Sequence, residues 1–287
     1  RLNFIPVYIK LTGRAVLFMT ILTNPLISPL VLAALCGFTC GLIGSFFVWR
    51  RLSFLGDAIA HSAMTPLSLS LILGVPPIVL ILPFNTLFGL FLAFLYLKKS
   101  GQLDSTIALF FSGFMGLGLL IAHVSGVGNE DILHFIFGDI SKPDLLGSLL
   151  TILVSLAAVS HILYLQKELI LLVLQKDLAK IEGIRVNWHE VWLLVIMALV
   201  VTVTLKLMGT ILLTSLLITP PVVFRRLSGS LMNQLLGSAI LGSILAVSGV
   251  GIALVFNVPA SGSVAGLSLL IFLAASFIFK PSTQATS

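Results

Sequence analysis

Long apolar segments recur along the whole chain, separated by short stretches that hold the charged residues, glycines and prolines. Most of these segments have about 17–25 residues, the length that an α-helix needs to cross the roughly 30 Å hydrocarbon layer of a membrane. The backbone finds no hydrogen-bond partner in lipid, and the segments are too long and too evenly apolar for barrel strands, so they are predicted to be helices. The predicted spans are 26–49, 56–74, 77–97, 105–124, 145–165, 189–207, 209–224, 234–256 and 262–279. Residues 206–209 interrupt the stretch from 189 to 224, which could be one full helix followed by a shorter broken one. The prediction is therefore an all-α polytopic membrane bundle of eight or nine spans.

Composition supports the membrane prediction. Hydrophobic residues make up 58% of the 287 residues and charged residues only 9%, whereas soluble domains carry about 25% charged residues. The net charge is +6, but the basic residues are scattered at the ends of the predicted helices. They are therefore interpreted as topology signals, and no nucleic-acid partner is expected.

The positions of the cations predict which side of the membrane each loop faces. If the spans alternate, eleven cations fall on one side and Lys142 alone lies in the loops of the other. The eleven are Arg50, Arg51, Lys98, Lys99, Lys167, Lys176, Lys180, Arg185, Arg225, Arg226 and Lys280. Since cytoplasmic loops carry the excess of Lys and Arg, that side is predicted to be the cytoplasm.

The chain is predicted to hold one membrane domain with short flanks. Residues 1–18 form no clean span, and they are expected to be an N-terminal extension outside the native protein, which would start near Met19. Residues 19–280 form the predicted transport domain, and 281–287 a cytoplasmic C-terminal tail. No Walker A motif is present, since the sequence contains no Gly-Lys dipeptide. Any ATP-driven transport would therefore need a separate ATPase subunit.

Small residues recur at helix-packing spacing, and they predict close helix contacts in lipid. They include Gly37 with Gly41, Gly242 with Ala246, and a run at Gly113, Gly116 and Gly118. Cys36 and Cys40 lie four residues apart on one face of an apolar helix. Such thiols are expected to be packing residues, without a disulfide or a metal.

The most informative ionisable residues within the predicted spans are Asp57 and His61. They are four residues apart, so both project from one helix face, and a carboxylate beside an imidazole can supply two ligands to a divalent transition metal. Charged groups inside a membrane are costly, which makes them functional candidates. Two plainer interpretations stay open: the two side chains pair with each other, or Asp57 caps the helix that follows Gly56.

Two further segments hold weaker candidates. Near the predicted outer face, Glu130, Asp131, His134 and Asp139 could guide cations towards a pathway, although an ordinary acidic loop is the favoured interpretation for the first two. His134 and Asp139 are the candidate pathway entrance. The lone histidines near span ends (His123, His161 and His189) are expected to be satisfied by interfacial water.

At the cytoplasmic end of the span at 209–224, two prolines are followed by Arg225 and Arg226 and then by a polar stretch. That stretch could form a short interfacial helix that docks onto a soluble partner. It could equally be a simple turn with its arginines reaching the membrane surface. The physical pattern does not separate the two.

Several segments, in order, resemble permeases of the zinc-, manganese- and iron-type metal ABC importers. The first, WRRLSFLGDAIAHSAMTPLSLSL, resembles the segment around that family's GDA-x-x-H motif. The others are SGQLDSTIALFFSGFMGLG, DILHFIFGDI, KLMGTILLTSLLITPPVVFRRLSGSL and VPASGSVAGLSLLIFL, the last departing from the family's usual Pro-Ser-Gly-Pro. The resemblance covers about residues 22–280.

The resemblance implies a multi-pass permease of the bacterial plasma membrane, with no enzyme activity and no permanently bound cofactor. Its partners would be a cytoplasmic ABC ATPase, an extracytoplasmic metal-binding protein and a second permease chain. Asp57 and His61 would handle the transported zinc or manganese, and a coupling helix at about 225–236, including Arg225, Arg226, Leu227 and Ser228, would engage the ATPase. The alternatives are a proton-coupled secondary metal carrier and an ABC permease for an iron chelate or cobalamin.

Overall fold

The computed structural model describes residues 24–98, 103–126, 138, 140 and 143–278. The predicted extension at 1–18 and tail at 281–287 lie outside these ranges. Every regular element in the described part of the chain is an α-helix, which confirms the predicted fold class. The helices are α1 (Ile27–Trp49), α2 (Ser53–Ser62), α3 (Met64–Leu73), α4 (Pro77–Leu97), α5 (Leu103–Val124), α6 (Leu145–Tyr164), α7 (Gln166–Leu174), α8 (Lys176–Ile181), α9 (Val186–Leu227), α10 (Leu231–Phe256) and α11 (Ala260–Ile278).

Seven of these helices are long and apolar enough to cross a membrane, judged by length and composition. The longest, α9, has 42 residues and contains a break at Gly209, whose φ of 74° and ψ of 174° are not helical. A straight helix of that length would measure about 63 Å, roughly twice the hydrocarbon thickness. The interruption predicted near 206–209 is therefore confirmed, and α9 provides two spans.

Contacts at the two ends of α9 show that the chain reverses at Gly209. Near its start, Glu190 lies 3.7 Å from Arg50, which follows α1. Near its end, Arg225 lines a cavity of about 430 Å³ together with Trp49 and Arg51. Both ends of α9 thus lie at the same end of α1, and Gly209 lies at the other.

The span predicted at 56–74 is divided into α2 and α3. The division falls at Ala63, three residues before Pro66. Proline has no backbone N–H and cannot donate to the carbonyl four residues earlier, so a continuous helix is interrupted there. Together α2 and α3 lead from the Arg51 end of the bundle to Gly74, from which α4 returns. With α9 counted as two spans and α2 with α3 as one, the described helices agree with the predicted eight or nine spans.

The centre of the bundle is a close contact of α1 with α10 and with the second half of α9. A Cβ atom on Gly37 would overlap the carbonyl oxygen of Gly242, and one on Gly44 would overlap that of Leu217. Only glycine permits backbones to approach so closely, as the small-residue pattern predicts. Cys36 and Cys40 are fully buried in this region as free thiols, as expected for packing residues.

Within the single chain, only one of the three glycines in α5 packs against a described neighbour. Apart from the glycine's own stretch of helix, no described atom lies within 4 Å of a Cβ placed on Gly113 or Gly116, whereas one on Gly118 would press on the backbone of Met64. The spacing of small residues indicated a packing face, but it did not indicate which part of the helix meets a neighbour.

A buried charge cluster lies at the Arg51 end of the bundle. The side chains of Arg50 and Glu190 are each only 3% exposed, and Glu190 also lies 2.7 Å from the Nζ of Lys176 at the start of α8. Lys176 donates to the hydroxyl of Tyr96 at 3.0 Å. Partial burial would lower the pKa of Lys176, but its interactions with Glu190 and Tyr96 outweigh this and raise the pKa. The cluster joins α8 to three long helices.

A second ion pair marks the opposite end. The Nζ of Lys206, three residues before the break in α9, lies 2.8 Å from the carboxylate of Asp144, the N-cap residue of α6. Partial burial would raise the pKa of Asp144, but the hydrogen bonds from Lys206 and from the backbone N–H of Gly147 lower it. The ion pair of Lys206 therefore connects the reversal in α9 to α6. From its sequence position, Lys206 could be recognised only as an interruption of the apolar segment.

Candidate functional site

The helix that carries the predicted metal ligands, α2, lies between α5 and the second half of α9. Gly56 faces Leu217 of α9, where an added Cβ would come within 2.9 Å of the leucine side chain. On the other side, the ring of Phe54 lies 5.4 Å from that of Phe111 in α5. Both Asp57 and His61 are half-buried in this position, so the face they share is partly covered by helices of the bundle.

Asp57 accepts a hydrogen bond from a residue far away in the sequence. The hydroxyl of Thr214, in the second half of α9, lies 2.6 Å from its Oδ1 atom. Asp57 is the fifth residue of α2, which begins at Ser53 and has no side-chain cap. The interpretation of Asp57 as a helix cap is therefore wrong.

His61 lies one helical turn further along, beside an aromatic ring. The imidazole and the ring of Phe111 are 5.0 Å apart between centroids, with an interplanar angle of 85°. No hydrogen bond or ion pair within 4.0 Å joins His61 to Asp57, both of which are in the described part of the chain. The two side chains therefore do not form a closed pair with each other.

A buried polar network continues from the end of α2. The hydroxyl of Ser62 lies 3.3 Å from Oδ1 of Asn85, and the amide of Asn85 donates to the hydroxyl of Thr202 at 3.0 Å. Asn85 is fully buried in the middle of α4. Because each polar group finds a hydrogen-bond partner, the network connects α2 to α4 and to the first half of α9 with little penalty for burying polar groups. This network carries no recognisable signal in the sequence, since its members are uncharged and far apart along the chain.

Asp57 and His61 are the only predicted ligands that the structure brings together within its described residues. These contain no group of three or more His, Cys, Asp and Glu side chains able to hold a metal ion. A carboxylate oxygen and an imidazole nitrogen suit divalent transition metals. The pair can therefore contribute two ligands to an ion.

The other candidate ligands do not join this site. Glu130, Asp131, His134 and Asp139 lie outside the described residues, so the candidate pathway entrance stays a prediction. His123 is exposed near the end of α5. His161 lies near Trp192, with 6.5 Å between ring centroids, and Nδ1 of His189 lies 3.0 Å from the carbonyl oxygen of Arg185.

The segment predicted to contact an ATPase does not form a separate short helix. Residues 225–227 are the last turn of α9, and α10 begins at Leu231 after a turn in which the side chain of Ser230 accepts the N–H of Asn233. The serine cap starts α10 at once, so the predicted helix over 225–236 is wrong. Of the four predicted coupling residues, Arg225 and Ser228 line the cavity described above, Leu227 is exposed, and Arg226 lies over the ring of Phe272 at 5.6 Å.

Comparison with known proteins places the chain in a family. The model of the ABC 3 transport family matches residues 23–279. The chain belongs to the ABC 3 transport family. This confirms the resemblance indicated by the motifs, and with the apolar helices it establishes a multi-pass membrane protein of a transport family.

Individual members of the ABC 3 transport family resemble the chain over most of its length. It is 31% identical to the manganese import system permease protein ScaB of Streptococcus gordonii, over 88% of this chain and 90% of that protein. It is 28% identical to the high-affinity zinc uptake system membrane protein ZnuB of Buchnera aphidicola, over 83% of this chain and 92% of that protein. Among solved structures, PsaBC from Streptococcus pneumoniae in complex with Fab matches with a TM-score of 0.77 and 28% identity, covering 92% of this chain and 95% of that one.

Proposed function

We propose that this chain is the permease subunit of a bacterial ABC importer that moves a divalent transition metal, zinc or manganese, into the cytoplasm. The family match supports the transport class, and the relatives named for manganese import and zinc uptake support these two metals. The observation that carries the proposal is the Asp57–His61 pair on one face of α2, half-buried between helices of the bundle. Charged and ionisable groups at such a position are costly and mark ion pathways.

Asp57 and His61 bind the ion transiently while the bundle opens first to one side of the membrane and then to the other. Each chain supplies one carboxylate and one imidazole, so two permease chains together would supply four ligands, the number that zinc usually takes. The ion remains free to leave because a pathway site must bind weakly enough to release it. A separate extracytoplasmic protein would deliver the metal.

The ATPase docks at the end of the bundle that holds Arg225 and Ser228. The short helices α7 and α8 belong to the same surface, since Leu174 of α7 lines the cavity with Arg225. Leu174 is 60% exposed and Ile181 of α8 is 81% exposed, and they would form the apolar part of the proposed docking surface. This docking surface includes the predicted coupling residues and extends beyond them.

Co-purification tests the docking surface. Leu174→Asp places a charge in the apolar part of the surface and is expected to reduce recovery of the ATPase with the permease. Val258→Asp is the matched control, because Val258 is also exposed but lies beyond the opposite end of α10. Equal recovery with both variants would contradict the assignment of this surface.

Uptake of labelled zinc and manganese tests the proposed function. Cells that lack their own importers would express this chain with its ATPase and binding protein, and a matched strain would lack the ATPase. ATPase-dependent accumulation of one metal that is lost in Asp57→Ala and His61→Ala supports the proposal and names the cargo. Uptake that persists without the ATPase would indicate a secondary carrier. Uptake of neither metal would indicate a chelate importer.

A further inference from the structure

We infer that Thr214 determines the metal preference of this site: by engaging one oxygen of Asp57, it leaves a single carboxylate oxygen for the ion and so favours zinc over manganese. The inference rests on the proposed function, because it concerns the same Asp57–His61 pair. It adds a specificity-determining residue that lies outside the motif around Asp57, on a different helix and 157 residues further along the chain.

The two oxygens of Asp57 have different surroundings. Oδ1 lies 2.6 Å from the Thr214 hydroxyl, whereas no residue in the described ranges donates a hydrogen bond to Oδ2. The two atoms are equivalent in a free carboxylate, so the difference is created by the position of α9 relative to α2. Thr214 is five residues beyond the reversal at Gly209, and the two helices meet closely here, as the contact of Gly56 with Leu217 shows.

The number of free carboxylate oxygens affects which metal the site accepts. The hydrogen bond to Oδ1 disfavours bidentate binding, so the carboxylate binds an ion mainly through Oδ2, and together with His61 it gives one oxygen and one nitrogen ligand. Zinc is satisfied by four ligands and accepts imidazole readily. Oxygen-rich coordination suits manganese better. Loss of the Thr214 hydrogen bond would free Oδ1 for a second metal–oxygen contact and shift the preference towards manganese.

The Thr214 hydroxyl has a second acceptor within reach. It lies 2.9 Å from the carbonyl oxygen of Thr210 in its own helix, and a hydroxyl has only one hydrogen to donate. While an ion is bound through Oδ2, the hydroxyl keeps its hydrogen bond to Oδ1. The carbonyl oxygen of Thr210 is the acceptor it can use when Asp57 moves away, so the donor stays satisfied between binding events.

Competition between equimolar zinc and manganese in the co-expressed, ATPase-containing system tests the inference. Thr214→Val removes the hydroxyl at nearly constant shape, and it is expected to lower the zinc-to-manganese uptake ratio by roughly three- to tenfold. Thr214→Ser keeps a donor and should keep the wild-type ratio. Thr86→Val is the matched control, because the Thr86 hydroxyl donates only within its own helix, to the carbonyl oxygen of Leu82. If the valine variant does not reach the membrane, Thr214→Cys, a weaker donor, carries the same expectation.

The outcomes separate this inference from the function on which it rests. An unchanged ratio in Thr214→Val or in its cysteine replacement, together with lost uptake in Asp57→Ala, would overturn the role of Thr214 and leave the importer proposal standing. The role of Thr214 would also be overturned if the zinc-to-manganese ratio fell as far in Thr214→Ser as in Thr214→Val, because the serine hydroxyl would then have no effect on the ratio. A wild-type chain that accumulates neither metal would overturn both.

Discussion

The buried cluster at Arg50 makes the neutralisation of Glu190 strongly destabilising for the bundle. Glu190→Gln keeps the size of the side chain but removes the only carboxylate that pairs with Arg50 in the described part of the chain. The guanidinium nitrogens of Arg50 are buried and have no hydrogen-bond partner among the described residues. After the substitution, a buried positive charge would remain without a counter-charge.

The expected cost follows from the burial of each ion pair. Both side chains of the Arg50–Glu190 pair are 3% exposed, and removal of one partner from such a pair costs about 3–5 kcal/mol. Lys176 is 44% exposed, so water screens its attraction to Glu190, and that part is worth about 1 kcal/mol or less. The charge on Arg50 therefore dominates the effect.

Unfolding of the purified chain in mixed detergent micelles, followed by tryptophan fluorescence, measures this cost. Glu190→Gln is expected to lower the free energy of unfolding by about 3–5 kcal/mol. The matched control is Lys176→Met, which removes the exposed partner and should cost about 1 kcal/mol or less. Equal free energies of unfolding for the two variants would show that the buried Arg50–Glu190 pair does not stabilise the bundle by this amount.

Two further substitutions test the packing and the ion pair at the opposite end. Gly44→Ala would press a methyl group against the carbonyl oxygen of Leu217 and should lower stability by about 1–3 kcal/mol in thermal unfolding; Gly116→Ala, in open space, should be neutral or slightly stabilising. Because the pKa of Asp144 is lowered beside Lys206, its stabilisation should be complete above its ordinary pKa of about 3.9 and disappear as the pH falls through the lowered value. Unfolding measured from neutral to acidic pH should therefore show a smaller acid-dependent loss for Asp144→Asn than for the wild type; equal losses would contradict the assignment.

The spans could be predicted from sequence because each one depends on a local property, the length of an apolar segment. The reversal in α9 was also visible, since Lys206 and Gly209 interrupt such a segment. The division between α2 and α3 carried a local signal as well, in Pro66, which the span prediction did not use. The helix predicted at 225–236 was wrong because Ser230 caps α10 and leaves only a turn between the two helices.

Half of the candidate site was visible in the same way. Asp57 and His61 are recognisable because a four-residue spacing places two ionisable side chains on one helix face. Thr214 and Glu190 carry no comparable signal. The partner of Thr214 is 157 residues away, and Glu190 lies at the predicted start of a span, where a carboxylate would be attributed to the membrane surface. Only the tertiary packing shows which distant side chains meet.

The most direct test of the account is ATP-driven metal accumulation in liposomes that contain the permease, its ATPase and its binding protein. Asp57→Asn removes the charge but keeps an acceptor for Thr214, His61→Gln removes the imidazole, and His123→Gln is the control at an exposed histidine on α5. The account predicts at least about tenfold slower accumulation for the first two variants and near wild-type rates for the third. Wild-type rates for Asp57→Asn and His61→Gln would show that the ion does not depend on this pair.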